Sequence, residues 1–303
     1  KSLNVIINLK SETYFFTSSA GDFTDRFEII YVSPNEGCPS ETIWDGMQWS
    51  NGTPDLNTKA IIDGELVVDT NLEACELEVT ADGNLQIPSG FVFIVNGIIT
   101  NNATPADFII ASGGNLIQNE NVENIGAIIV QRESQDILRL DYTMWASPVT
   151  GQQLQAFSPS TFANRIFTYE TNIETETTEG AYVTVTDATA NFANGKGYLF
   201  RAPNTWSSNT PAPYNGLFNG VPFNGEISVP VYNNGFTSVG NPYPSNIDPE
   251  LFMDRNNVES MHFWNNPARI SNGDGTYSYV GTTYVAYTNV GFDNPAYEGN
   301  SIL

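Results

Sequence analysis

"CELEVTADGNLQIPSGFVFIVNGIITNN", residues 75–102, breaks into short strand-like runs separated by Gly83, Gly90 and Gly97, seven residues apart. Each glycine closes a run in which apolar and polar residues alternate, the period of a half-buried strand. Glycine suits such corners because it takes positive φ without a steric penalty. Regular spacing of this kind predicts stacked rungs in a solenoid-like arrangement. The same runs read without the repeat give a flat meander. The texture continues on both sides, through "KAIIDGELVVD" (59–69) and "DFIIASGGNLIQNENVENIGAIIVQ" (107–131), with Gly64, Gly113, Gly114 and Gly126 between runs. Residues 42–134 are therefore assigned to a glycine-punctuated, β-solenoid-like module. Asn96, Asn101, Asn102, Asn115, Asn119, Asn121 and Asn124 fall in it. Asparagine at a corner bonds its own backbone, so the expected use is structural.

The rhythm differs on either side. Residues 1–33 contain "LNVIINL", "TYFFTS" and "RFEIIYV", which read as the terminal strands of a β-sandwich. Residues 34–41 are Pro/Gly/Ser-rich and read as a linker. From 135 to 303, aromatic-rich runs such as "RIFTYE", "GKGYLFRAP" and "TYVAYTNV" alternate with prolines and longer loops, the pattern of an antiparallel sandwich or jelly roll. The fold class is all-β. The best helix is "DPELFMD" (248–254), with Asp248 as cap and Pro249 in the first helical position. Just before it, Asn241, Pro242, Tyr243 and Pro244 form a stretch with two fixed φ angles and two missing donors, a stiff corner from strand into helix.

Charge narrows the function. The 303 residues hold 11 Lys and Arg against 34 Asp and Glu, a formal net charge of −23. A field of that sign repels phosphate backbones and anionic lipid, which argues against nucleic-acid and membrane-surface roles. No apolar run approaches the roughly 18 residues of a membrane-spanning helix, so no membrane insertion is expected. The chain opens on Lys1 in mid-strand pattern. It reads as a mature, trimmed or internal piece, and the missing signal says nothing of destination. Cys38 and Cys75 are the two cysteines and His262 the single histidine, too few ligands for a zinc site. In an oxidising compartment the cysteines would close a disulfide worth roughly 3–4 kcal/mol. In a reducing one they would be two small buried hydrophobes.

Catalytic chemistry finds little footing. His262 lies in an alternating run with no nucleophile-elbow pattern. A polysaccharide hydrolase needs only two carboxylates, but no motif selects a pair. Calcium is the one cation the loops suggest, through oxygen ligands at 82–85, 272–275 and 291–299. None has EF-hand spacing, and "NGDG" is equally a hairpin turn signal. Carbohydrate binding would use aromatic faces beside amides. The candidates are Trp44 and Trp49, five apart and expected on different faces of a turn, with Trp206, Tyr214 and Trp264. Trp206 is favoured because it sits in a long polar loop with no strand pattern around it.

An ordered series of segments then carries a resemblance. "TIWDGMQWSNGTPDLNTKAIIDG" (42–64), "NLEACELEV" (71–79), "RLDYTMWASPVTGQQLQAFSPSTFANRIFTY" (139–169), "GKGYLFRAP" (195–203), "SVGNPYPSNID" (238–248) and "MHFW" (261–264) follow one another. The series resembles large surface proteins of Flavobacterium-like Bacteroidetes exported by the type IX secretion system. "LKSETYFFTSSAGDFTDRFEIIYV" (9–32) looks like the segment that ends such ectodomains, although here it comes first, and no sorting domain follows. The resemblance implies an outer-surface or extracellular location and the type IX machinery as a partner during export. Surface glycans or further copies of the chain are the other expected partners. The expectation is a non-catalytic structural or adhesive module. A subunit or secretion substrate completed by strand addition and a cryptic polysaccharide hydrolase are the alternatives.

Overall fold

The structure, a computed structural model, describes residues 37–171, 180–231, 236–266, 268–272, 277–280, 284–288 and 291–292. The chain divides into two units, Lys1–Gly37 and Cys38–Leu303. The strands expected in 1–33 lie outside the described residues. Ser40, inside the segment read as linker, already begins the first strand.

The glycine-punctuated region is a parallel stack. Its strands are β1 (Ser40–Trp44), β2 (Thr58–Ile62), β3 (Glu65–Val67), β4 (Leu72–Ala74), β5 (Leu77–Val79) and β6 (Asn84–Ile87). They continue with β7 (Val92–Val95), β8 (Ile99–Asn101), β9 (Phe108–Ile110) and β10 (Asn115–Gln118). They wind a solenoid-like coil of about 4 turns with three faces. One face is β1-β2-β5-β8, the second β4-β7-β10, and the third begins β3-β6-β9. Partners recur about every 20 residues, a solenoid period: Leu72 stands beside Phe93 and Phe93 beside Leu116. In-register stacking turns alternation along each strand into inward columns such as Leu66–Leu85–Phe108 and Leu77–Ile99. These side chains are buried. Burial of each Leu, Ile or Phe contributes roughly 1.5–3 kcal/mol.

The seven-residue glycine spacing marks faces within one turn, not successive rungs, since Gly83, Gly90 and Gly97 precede β6, β7 and β8. The expected reason for glycine holds at Gly90, where φ is +86°. Gly83 needs a different one. A Cβ there would lie 2.1 Å from the Ile62 carbonyl oxygen of the rung beside it.

At the far end the inward positions turn polar. Asn101 follows Ile62 and Val79 in its column, and Gln118 follows Ala74 and Val95. Asn101 donates to Ala127 O at 2.7 Å, and Gln118 to Gly97 O at 2.7 Å. Asn124, buried, exchanges amide bonds with Gln118, accepts from Ile99 N at 3.0 Å and donates to Pro222 O at 3.0 Å. Side-chain amides thus meet backbone groups that another apolar rung would leave unpaired.

The third face does not end there. β11 (Ile128–Ile137) pairs parallel with β9 and antiparallel with a later long strand. The elements between are β12 (Tyr142–Trp145), β13 (Val149–Thr150), α1 (Leu154–Phe157), β14 (Ile166–Glu170), β15 (Ala181–Thr184) and β16 (Tyr198–Arg201). The long strand is β17 (Ala212–Pro222), and one six-stranded sheet runs β13-β17-β11-β9-β6-β3. A second sheet, β12-β16-β14-β15, is antiparallel throughout. Aromatic rings of Trp145, Phe157, Phe192, Phe200 and Phe218 fill the core here, with Phe157 stacked on Phe218 at 4.4 Å.

The remaining elements are α2 (Pro249–Asn256), β18 (Ser260–Trp264), β19 (Ala268–Ser271), β20 (Tyr277–Val280), β21 (Tyr284–Thr288) and β22 (Gly291–Phe292). The helix begins as the sequence predicts, with Asp248 accepting from the N–H groups of Glu250 and Leu251. Asn266 accepts from Tyr142 N at 3.1 Å and donates to Tyr142 O at 2.8 Å, occupying the edge of β12 as a paired strand would.

Cys38 and Cys75 form a disulfide across 37 residues. It ties the chain just before β1 to the corner between β4 and β5. Thiol labelling of the unfolded, unreduced protein should find no free thiol. Reduction should lower unfolding free energy by about 3–4 kcal/mol in denaturant titrations. Gly83→Ala should cost about 1–3 kcal/mol in the same titration, as overpacking against backbone does.

Candidate functional site

Two loops of the sandwich meet at Asn204. Residues 158–165 lead from α1 into β14, and residues 202–211 lead from β16 into β17. Asn204 donates to Ser160 O through its backbone N–H and its side-chain amide, each at 2.9 Å. Arg201 Nη2 donates to Asn204 Oδ1 at 2.7 Å, and its guanidinium lies 5.5 Å over the ring of Phe162. Phe162 is 59% exposed.

Trp206 is half-buried at the second loop. Its backbone N–H donates to Pro203 O at 2.9 Å and its indole N–H to Ala212 O at 3.2 Å. The ring stands 5.6 Å from Tyr214. Tyr214 packs in turn on Trp145 and Phe157, and its hydroxyl donates to Phe157 O at 2.7 Å. Burial pushes the Tyr214 phenol above its ordinary range. Tyr214 is thus a support whose hydroxyl is in use, and Trp206 stays half-buried beside it. Sequence reasoning named Trp206 and Tyr214 but missed Phe162, Arg201 and Asn204.

The other named residues lie elsewhere. Trp44 and Trp49 do not take different faces of a turn. They form an antiparallel bridge, so their side chains share a side, with rings 5.4 Å apart. Trp44 Nε1 donates to Glu65 O at 2.8 Å, and both rings pack on the core. The pair covers the first turn of the coil, with Met47 87% exposed at the tip.

Asn241 accepts from Tyr243 N at 2.9 Å and donates to Ser245 O at 2.6 Å. The Tyr243 hydroxyl donates to Gly225 O at 2.7 Å, and Pro244 O accepts from Leu116 N at 2.9 Å. The Asn241–Pro244 corner therefore docks on the edge of β10. A cleft of ≈ 210 Å³ between Ile117, Gln118, Phe223 and Tyr243 remains beside it. His262 is exposed, with Nε2 3.1 Å from Ser260 Oγ and its ring 5.2 Å from Phe236. Trp264 packs between Tyr142, Tyr182 and Tyr284.

Among the described residues no three His, Cys, Asp or Glu side chains are placed to hold a metal ion. In the first of the suggested calcium loops, Asn84 donates its amide to Asp107. Most of the other two lies outside the described residues. Also among the described residues, no helix is long and apolar enough to cross a membrane.

A parallel solenoid continued by an antiparallel sandwich is the class these elements define. The chain belongs to the family described as Domain of unknown function (DUF8693), which it matches over residues 37–302. No curated protein and no solved structure matches it.

Four carboxylates are held below their ordinary range by turn hydrogen bonds. Asp45 accepts from the N–H groups of Gln48 and Met47, and Asp55 from the Thr58 hydroxyl and Asn57 N–H. Asp107 accepts from the Thr104 hydroxyl and Asp187 from the Thr189 hydroxyl. A depressed folded pKa stabilises fully above the unfolded value, about 3.9, and is lost as pH falls through the folded value. Thermal melts should hold a level Tm from about pH 6 to 4 and fall below that. A Tm unchanged down to about pH 2 would show that these turns carry no proton-linked stability.

Proposed function

We propose that this protein is a non-catalytic, extracellular structural and adhesive module of a large surface protein exported by the type IX secretion system, and that it holds surface glycans. The observation that carries the reading is the disulfide-clipped coil joined through one shared sheet to the sandwich. Structural disulfides persist in oxidising compartments outside the cytosol. A stack in which each turn rests on its neighbours makes a stiff spacer that needs no catalytic centre to be useful. Glycan contact falls to the paired loops. There Trp206 is fixed by its own hydrogen bonds and backed by the aromatic core, so holding it in place on binding costs little further entropy. Two edges open to an added strand are already occupied, β10 by Pro244 and β12 by Asn266. That favours display over completion by a partner at those edges.

The test is made on cells that produce the protein. Antibody and protease should reach it on intact cells, and disabling the type IX exporter should leave it inside. Purified Trp206→Ala should keep its melting temperature and lose about tenfold in affinity for those cells' surface glycans. A protein found reduced in the cytoplasm would overturn the reading.

A further inference from the structure

Two stretches of this chain contain no carboxylate side chain. There is no Asp or Glu between Asp141 and Glu170, nor between Asp187 and Glu226, although the chain holds 34 of them. The fold unites these stretches: β12, β14 and β16 are neighbours in one sheet, and Asn204 bonds the 202–211 loop to the 158–165 loop.

Three of the chain's 11 cationic side chains stand at this end. Arg165 is exposed and shares a tight turn with Phe162, its N–H donating to Phe162 O at 2.8 Å. Arg201 lies over the exposed Phe162 ring, and its Nε is buried without a hydrogen-bond partner among the described residues. Arg139 is exposed, and its backbone N–H donates to Ser207 O at 2.9 Å, beside Trp206. The nearby Asp141 is buried and accepts from Leu138 N at 2.8 Å, so it is turned inward.

We infer that this end of the sandwich binds an acidic polysaccharide, its carboxylates meeting Arg139, Arg165 and Arg201 and its sugar faces lying on Phe162 and Trp206. The inference rests on the adhesive reading above and names its ligand. Guanidinium forks match carboxylates in geometry and form charge-assisted bonds. Arg201 is already oriented by Asn204 and Phe162, which lowers the entropy lost on binding. The net charge of −23 does not forbid this. At physiological ionic strength charges more than about 8 Å away are largely screened, so at contact the three arginines face the few nearby acids, the exposed Asp136 opposite Pro213 and the buried Asp141, and not the whole-chain charge.

The experiment measures retention of the full chain on three immobilised polymers: polygalacturonate, the same polymer with its carboxyls reduced to alcohols, and neutral dextran. Retention is expected on the first alone. Arg139→Gln combined with Arg165→Gln, both at exposed positions, should weaken it about tenfold with no change in melting temperature. Equal retention on the carboxyl-reduced polymer, or no effect of the double substitution, would overturn the acidic ligand and leave the adhesive reading standing. Retention on none of the three, together with no binding to the producing cells' own glycans, would overturn both.

Discussion

β11 is hydrogen-bonded on one side to a parallel strand and on the other to an antiparallel one, and the rest of the structure depends on that double pairing. Ile129 and Val130 continue the register of β9, while Ile128 to Ile137 run against β17 with a shift between Glu133 and Asp136. A parallel stack adds turns by repeating itself, and nothing in its geometry says where to stop. Here it stops because the next strand beside β11 arrives from far along the chain and in the opposite direction. The amides of Asn101, Gln118 and Asn124 fit the same logic, closing the coil where its apolar columns end.

The other end of the coil is closed by different means. The Trp44–Trp49 pair lies over the first turn, and the disulfide holds the incoming chain beside the corner after β4. Edges within the fold are covered by the chain itself, through Pro244 at β10 and the Asn266 amide at β12. Unpaired sheet edges invite association, so a protein read as displayed outside the cell gains from having these two filled. The Asn241–Pro244 corner belongs to this economy of edges. Its prolines give up donors that the site does not need, and its carbonyl supplies the acceptor that Leu116 does.

Electrostatics organises the surface at a finer scale than the net charge suggests. The acids serve turns in the coil, as at Asp45, Asp55 and Asp107, where backbone and hydroxyl donors keep them ionised. The two loops that carry Phe162 and Trp206 contain none of them, although Asp136 lies opposite Pro213 on the adjoining strand, and the arginines here are exposed or oriented on a ring. A whole-chain charge excludes partners that would cover the whole surface. It says little about a patch smaller than a few screening lengths.

Much of this was legible before folding was considered. Alternation and glycine spacing in residues 75–102 implied stacked strands, because the inward column of a solenoid is written locally, two residues at a time. The Asp248 cap and the Cys38–Cys75 pair were readable for the same reason: one is local chemistry, the other the only pairing two cysteines allow. Trp206 stood out through its loop composition. The facing of Trp44 and Trp49 did not, since a turn's bridge partners are set by hydrogen bonding and not by count. Phe162, Arg201 and Arg139 were invisible as a group, although the acid-free stretches that hold the first two were there to be counted. Strand periodicity and capping are decided by neighbours in the chain, and so the sequence by itself determined the rungs, the helix start and the covalent clip. Only the tertiary structure decided where the coil turns into a sandwich and which loops meet, because those depend on pairings between residues far apart in the chain.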